Sequence, residues 1–152
     1  MKRCFIFILW ISFFYSSIFG QSHIKFEPTY ESNPLVIDST YSDQTKITSI
    51  RFYIGHVKLL KDSQIMFEQP SYQLMDAEFP ETLEIQTPLN ISYNKISFSL
   101  GIDSVTNYQG ALTGDLDPQN GMYWTWQSGY INFKIEGESN QPFTYHIGGH
   151  LK

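Results

Sequence analysis

Outside the first twenty residues the chain carries four histidines, His23, His56, His146 and His150. The imidazole nitrogen is the commonest metal ligand among side chains. His146 and His150 flank Gly148 and Gly149, and glycine lets a backbone approach a bound ion closely. By strand parity His146 points away from Phe143, Tyr145 and Ile147. If that side is open, its ring is available. A His-based metal site would therefore use His146 with His56 or His150. The plainer reading makes His146 a satisfied sheet histidine and His150 and His23 chain-end residues, because scattered histidines without ligand spacing are weak evidence.

The loop Gly114–Gly121 is rich in oxygen donors: Asp115, Asp117, Gln119 and Asn120, with Asp103 and Asn107 as further candidates. That composition invites a calcium reading. The EF-hand spacing fails, since Gly121 falls one place late and Trp126 stands where a bidentate Glu belongs. A turn closed by Asp117-Pro118 and Asn120-Gly121 accounts for the same residues. Trp124 and Trp126 share one strand face with Met122, as large aromatics that anchor a core do. On that reading Tyr123 and Thr125 face outward. No G-x-S-x-G elbow, H-E-x-x-H pair or glycine-rich phosphate loop is present, so the chain reads as non-enzymatic.

These residues need a scaffold. Lys2 and Arg3 precede a dense apolar run, Cys4–Phe14, and small polar residues follow at Ser16 and Ser17. This is the layout of a signal peptide over residues 1–20, with export to periplasm, cell surface or medium. The run is too short for an ordinary membrane-spanning helix, so no stable span is expected after cleavage. Cys4 stands at the start of the run rather than after it, which argues against a lipoprotein. The remaining 132 residues form one domain, residues 21–152, without cysteine. With 8 basic and 15 acidic side chains that domain has a net charge of −7, the wrong sign for a nucleic-acid binder.

Periodicity is β throughout. Ile96, Phe98, Leu100 and Ile102 alternate with polar or small residues, as do Ile131, Phe133 and Ile135, Leu83 and Ile85, and Phe143, Tyr145 and Ile147. Ile50, Phe52 and Ile54 share one parity, while Val57 and Leu59 take the other. The phase switch predicts a β-bulge at Gly55–His56 that re-aims His56. Prolines and turn residues punctuate short strands, and a small helical turn is expected within 103–120. The fold class expected is all-β, an antiparallel β-sandwich.

Several blocks together are distinctive: Leu100-Gly-Ile-Asp-Ser-Val-Thr-Asn107, Gly110-Ala-Leu-Thr-Gly-Asp-Leu-Asp-Pro118, Gly121-Met-Tyr-Trp-Thr-Trp-Gln-Ser-Gly-Tyr-Ile131, Glu136-Gly137 and Tyr145-His-Ile-Gly-Gly149. With Ile50-Arg-Phe-Tyr-Ile54 and Ser71-Tyr-Gln-Leu-Met-Asp76 they occur in an order that resembles the MbnP-like family, named for the methanobactin-associated periplasmic copper protein. The resemblance covers nearly all of 26–149. It implies a copper-binding exported protein, with His146, His56 and His150 as candidate ligands. It also implies a dihaem, MauG-like partner enzyme, for which Trp124 or Trp126 would be the oxidisable aromatic. Family members run on past the last block with further strands, so the resemblance implies a C-terminally shortened member. Relatives that bind copper through an oxidised Trp carry it two residues before a ligand His, and no Trp-x-His occurs here. A surface interaction or carbohydrate-binding module, with Tyr108, Tyr123 and Tyr130 as a stacking platform, is the competing reading.

Overall fold

A computed structural model describes residues 22–149. The expected signal peptide, residues 1–20, and His150 lie outside the described residues. The fold is an all-β antiparallel sandwich. Its strands are β1 (Ser22–Lys25), β2 (Thr29–Tyr30), β3 (Asn33–Pro34), β4 (Lys46–Lys61), β5 (Gln64–Asp76), β6 (Glu84–Thr87), β7 (Lys95–Leu100), β8 (Tyr123–Thr125), β9 (Gly129–Glu138) and β10 (Pro142–Gly148). A single short helix, α1 (Ser104–Tyr108), and two 3-10 turns at Gly114–Leu116 and Pro118–Asn120 fill the region where a helical turn was expected.

The sheet is organised around β4, which is 16 residues long. β5 pairs along one flank from Arg51 to Lys61. The other flank is divided, with β9 on Lys46–Phe52 and β7 on Ile54–Leu60. β10 pairs with β9 and ends the sheet on that side. All these pairings are antiparallel, so alternate residues of β4 point into separate layers.

One layer holds Ile54, Val57, Met75, Leu83 and Ile85, covered by the small β1–β6 sheet through Ile24 and Phe26. The opposite layer holds Tyr53, Ile102, Met122, Tyr130 and Ile131, covered by the 101–122 segment through Leu116 and Tyr123. Each fully buried side chain of this size contributes about 1.5–3 kcal/mol. Parity along Ile50–Ile54 therefore assigns residues to two separate cores rather than to core and solvent.

The expected bulge is present. Pairing of β4 with β5 skips between Gly55 and Val57, and pairing with β7 skips between Gly55 and Lys58. Against β7 the extra residue is on β4, where His56 has φ 51°, whereas against β5 the extra residue is on β5, at Pro70–Ser71. Val57 is thereby returned to the face of Ile54, and both join the same core. Gly55 is required by packing: a Cβ there would lie 2.5 Å from Cε1 of Tyr72 and closer still to Cδ1. The tyrosine ring of β5 lies over the glycine and is brought against the imidazole next door. Pro70, opposite this bulge, is accommodated because β5 is an edge strand.

Two expectations about faces are corrected. The Trp124–Trp126 face is not a core anchor: Trp124 is 40% and Trp126 80% exposed, whereas Met122 is fully buried. The strand is only three residues long, and its pairing shifts between Tyr123 and Thr125. Tyr123 takes the inward place, edge-on to Tyr130 at 4.8 Å between ring centroids. On β10 the apolar side proves to be the open one, with Tyr145 and Ile147 each 62% exposed. His146, on the other side, is half-buried.

Candidate functional site

His56 projects from the bulge toward β5 and the start of α1. Its Nε2 lies 3.0 Å from Tyr72 Oη and 3.3 Å from Asp103 Oδ2. Tyr72 donates its hydroxyl proton to Asp103 Oδ2, and the Asp103 backbone N–H donates back to Tyr72 Oη at 3.1 Å. Asp103 also caps α1, its Oδ1 accepting the Thr106 N–H at 2.8 Å and its Oδ2 the Thr106 hydroxyl at 3.2 Å. The Tyr72 hydroxyl, and after it the Thr106 amide, hold the Asp103 carboxyl well below the usual carboxylate range. Burial, and next the hydrogen bond to Asp103, push the Tyr72 phenol up. The result is an ionised carboxylate, a neutral phenol and an imidazole meeting at one point. A shallow groove of about 620 Å³, lined by Tyr72, Leu74, Thr106, Thr113 and Asp115, opens beside them.

His146 sits elsewhere. It pairs with Lys134 across β10–β9, and Lys134 pairs with Arg51 across β9–β4. Its Nε2 lies 3.0 Å from Glu136 Oε1, which also receives Lys134 Nζ at 3.3 Å. Burial opposes ionisation of Glu136, but the hydrogen bonds from His146 and Lys134 outweigh it and hold the carboxyl below its ordinary range. The Trp124 indole tilts over the imidazole, with ring centroids 6.4 Å apart. This constellation is an imidazole, a carboxylate and an oxidisable indole on a partly exposed surface.

His56 and His146 do not converge. Two strand spacings sideways and five residues along β4 separate them by roughly 19 Å. His23 is exposed on β1. Among the described residues no three His, Cys, Asp or Glu side chains group together as metal ligands. The acidic loop is occupied with backbone groups, its own and that of β5. Asp115 accepts the Leu74 N–H at 2.9 Å, and Asp117 accepts the Gln119 N–H at 2.8 Å. Asn120 Nδ2 donates to the Gly114 and Asp115 carbonyls, and Arg51 Nη1 donates to the Asn120 carbonyl at 3.2 Å. Asp103 belongs to the His56 cluster, not to this loop.

The three tyrosines do not form a platform. Tyr130 is fully buried and Tyr123 packs on it, while Tyr108 is 65% exposed. Two residues that matter here escape a reading of ligand types: Tyr72, which phenol chemistry and a facing glycine bring to His56, and Glu136, the partner of His146. A signal for Tyr72 existed in its place opposite the predicted bulge. Glu136 showed only as a polar outward position of β9.

Among the described residues no helix is long and apolar enough to cross a membrane. Searches of curated proteins and of solved structures return no significant match. The family model of MbnP, in contrast, matches residues 20–151, nearly the whole chain, and the chain belongs to the MbnP family.

Proposed function

We propose that this protein is exported and binds copper on the β9–β10 face, with His146 as the principal ligand and Glu136 beside it. The observation that carries this reading is the Trp124 indole over the His146–Glu136 pair. Imidazole with carboxylate suits an oxidised copper ion, and the domain has no thiolate to compete. The fit within the described residues is a two-donor one; His150, four residues on, is the nearest further imidazole in sequence. His56 is too far away to share the ion. The net acidic surface favours approach of a cation.

Trp124 is the indole placed to feel the ion, and Trp126 is the more exposed one. In this reading a dihaem, MauG-like partner enzyme takes electrons from this tryptophan pair, Trp126 facing the partner and Trp124 facing the ligand. The protein itself performs no turnover. Calorimetric titration of residues 21–152 with copper is the test. One saturable equivalent in the micromolar range, lost in His146→Ala and weakened in Glu136→Gln, is expected. No saturable binding, or binding unchanged in His146→Ala, refutes it. An intact mass showing a few daltons gained on Trp124 or Trp126 after exposure to the partner enzyme would identify the oxidised residue.

A further inference from the structure

The geometry points to a second, separate site: we propose that His56, Tyr72 and Asp103 bind a strongly Lewis-acidic transition-metal ion, Fe(III) or Cu(II), with Tyr72 as a tyrosinate ligand. Three different donors from three elements meet here. His56 Nε2 lies 3.0 Å from Tyr72 Oη and 3.3 Å from Asp103 Oδ2, and the two oxygens are themselves hydrogen-bonded. Ligands held about 2.0–2.2 Å from one ion lie about 2.9–3.5 Å from each other. The two distances from the imidazole match one face of a coordination shell. His56 and Asp103 side chains are 43% and 41% exposed, which leaves room for an ion and its waters.

The scaffold holds the donors in place. His56 occupies the left-handed bulge position, an uncommon conformation for a residue with a side chain. The Cδ1–Cε1 edge of the Tyr72 ring lies against Gly55, and the ring meets the imidazole edge-on at 5.1 Å between centroids. Asp103 is oriented by the Thr106 amide on Oδ1, which leaves Oδ2 directed at the other two donors. Outer hydrogen bonds of this kind fix the ligand and tune the ion.

The chemistry selects the ion class. One imidazole, one phenol and one carboxylate make an oxygen-rich set without sulfur. Binding breaks the Tyr72 O–H bond, forms an oxygen–metal bond and releases one proton to solvent, with no change in oxidation state. An ordinary phenol, with a pKa of about 10, keeps its proton at neutral pH. Only an ion that lowers the ligand's pKa strongly can displace that proton, which excludes calcium and magnesium. Asp103 supplies a carboxylate oxygen, a hard donor suited to such an ion.

The test is spectroscopic. Residues 21–152 are titrated with Fe(III)-nitrilotriacetate and, separately, with Cu(II) sulfate. A visible phenolate-to-metal charge-transfer band that saturates with at least one of the two ions, with release of one proton per ion, is expected. Tyr72→Phe keeps the ring over Gly55 and abolishes the band. His56→Asn, which tolerates the left-handed backbone, and Asp103→Asn, which keeps the helix cap, weaken binding by about tenfold or more. Circular dichroism of each variant establishes that it is folded. His146→Ala leaves the band unchanged, so this site and the copper site on β10 fail or succeed separately. Absence of the band with both ions, binding without a band, or a band surviving in Tyr72→Phe overturns the proposal.

Discussion

Gly55→Ala is the substitution through which the bulge and the His56 cluster can be tested together. The added Cβ lies 2.5 Å from Cε1 of Tyr72, well inside contact distance. The ring cannot simply swing away, because its hydroxyl is bonded to His56, to Asp103 Oδ2 and to the Asp103 amide. Gly55 has an ordinary negative φ, so backbone strain adds nothing, and the cost is overpacking alone. Such insertions cost about 1–3 kcal/mol, and loss of one or two of the tethering hydrogen bonds would add about 0.5–1.5 kcal/mol each. A total near 3 kcal/mol would lower Tm by roughly 10 °C in a domain of this size.

Urea denaturation of residues 21–152, monitored by Tyr and Trp fluorescence, gives the stability difference if the m-value is unchanged. A double-mutant cycle with Tyr72→Ala isolates the contact. Removing the ring removes the clash, so Gly55→Ala in the Tyr72→Ala background should cost less than about 0.5 kcal/mol. Equal costs in both backgrounds would refute the argument that Tyr72 is the reason for the glycine. A cost below about 0.5 kcal/mol in the wild-type background would refute the packing itself.

Tyr130→Phe removes a buried hydroxyl that accepts the Leu112 N–H at 3.0 Å and donates to the Leu116 carbonyl at 2.8 Å; a loss of about 1–3 kcal/mol in urea denaturation is expected. Glu136 has a folded-state pKa below its unfolded value of about 4.5, so its contribution is present above that pH and is lost as pH falls through the folded value. Between about pH 5 and about pH 3 the wild type should therefore lose more stability than Glu136→Gln, as read from urea midpoints at each pH. In residues 21–152 the two tryptophans differ in exposure, and acrylamide should quench Trp124→Phe, which retains Trp126, more strongly than Trp126→Phe.

Strand positions and the bulge were legible because period two and its interruption are local. Ile50, Phe52 and Ile54 followed by Val57 and Leu59 announce one extra residue, and His56 supplies it. Which face is covered was not legible. Alternation shows that Phe143, Tyr145 and Ile147 share a side, but coverage depends on β1 and β6, which reach the β4–β5 part of the sheet. Trp124 and Trp126 were misplaced for a related reason: bulk favours burial, yet a three-residue strand with a shifted register handed the inward place to Tyr123. The His56 cluster joins positions 47 residues apart, and its phenol has no ligand-like spacing in the chain. The pairing of His146 with Glu136 depends on the β9–β10 register, where Thr144 rather than His146 is directly opposite Glu136.

The divided flank of β4 bears on the order in which the molecule assembles. Its C-terminal half closes with β5 through a turn at Asp62, a contact between residues adjacent in sequence and formed on a scale of microseconds. Its N-terminal half waits for β9, which arrives after more than half the described chain has intervened. Loop-closure entropy therefore falls unevenly along a single strand. By sequence separation the β4–β5 hairpin is the part expected to close first, and the β9 flank of Lys46–Phe52 the part expected to close later.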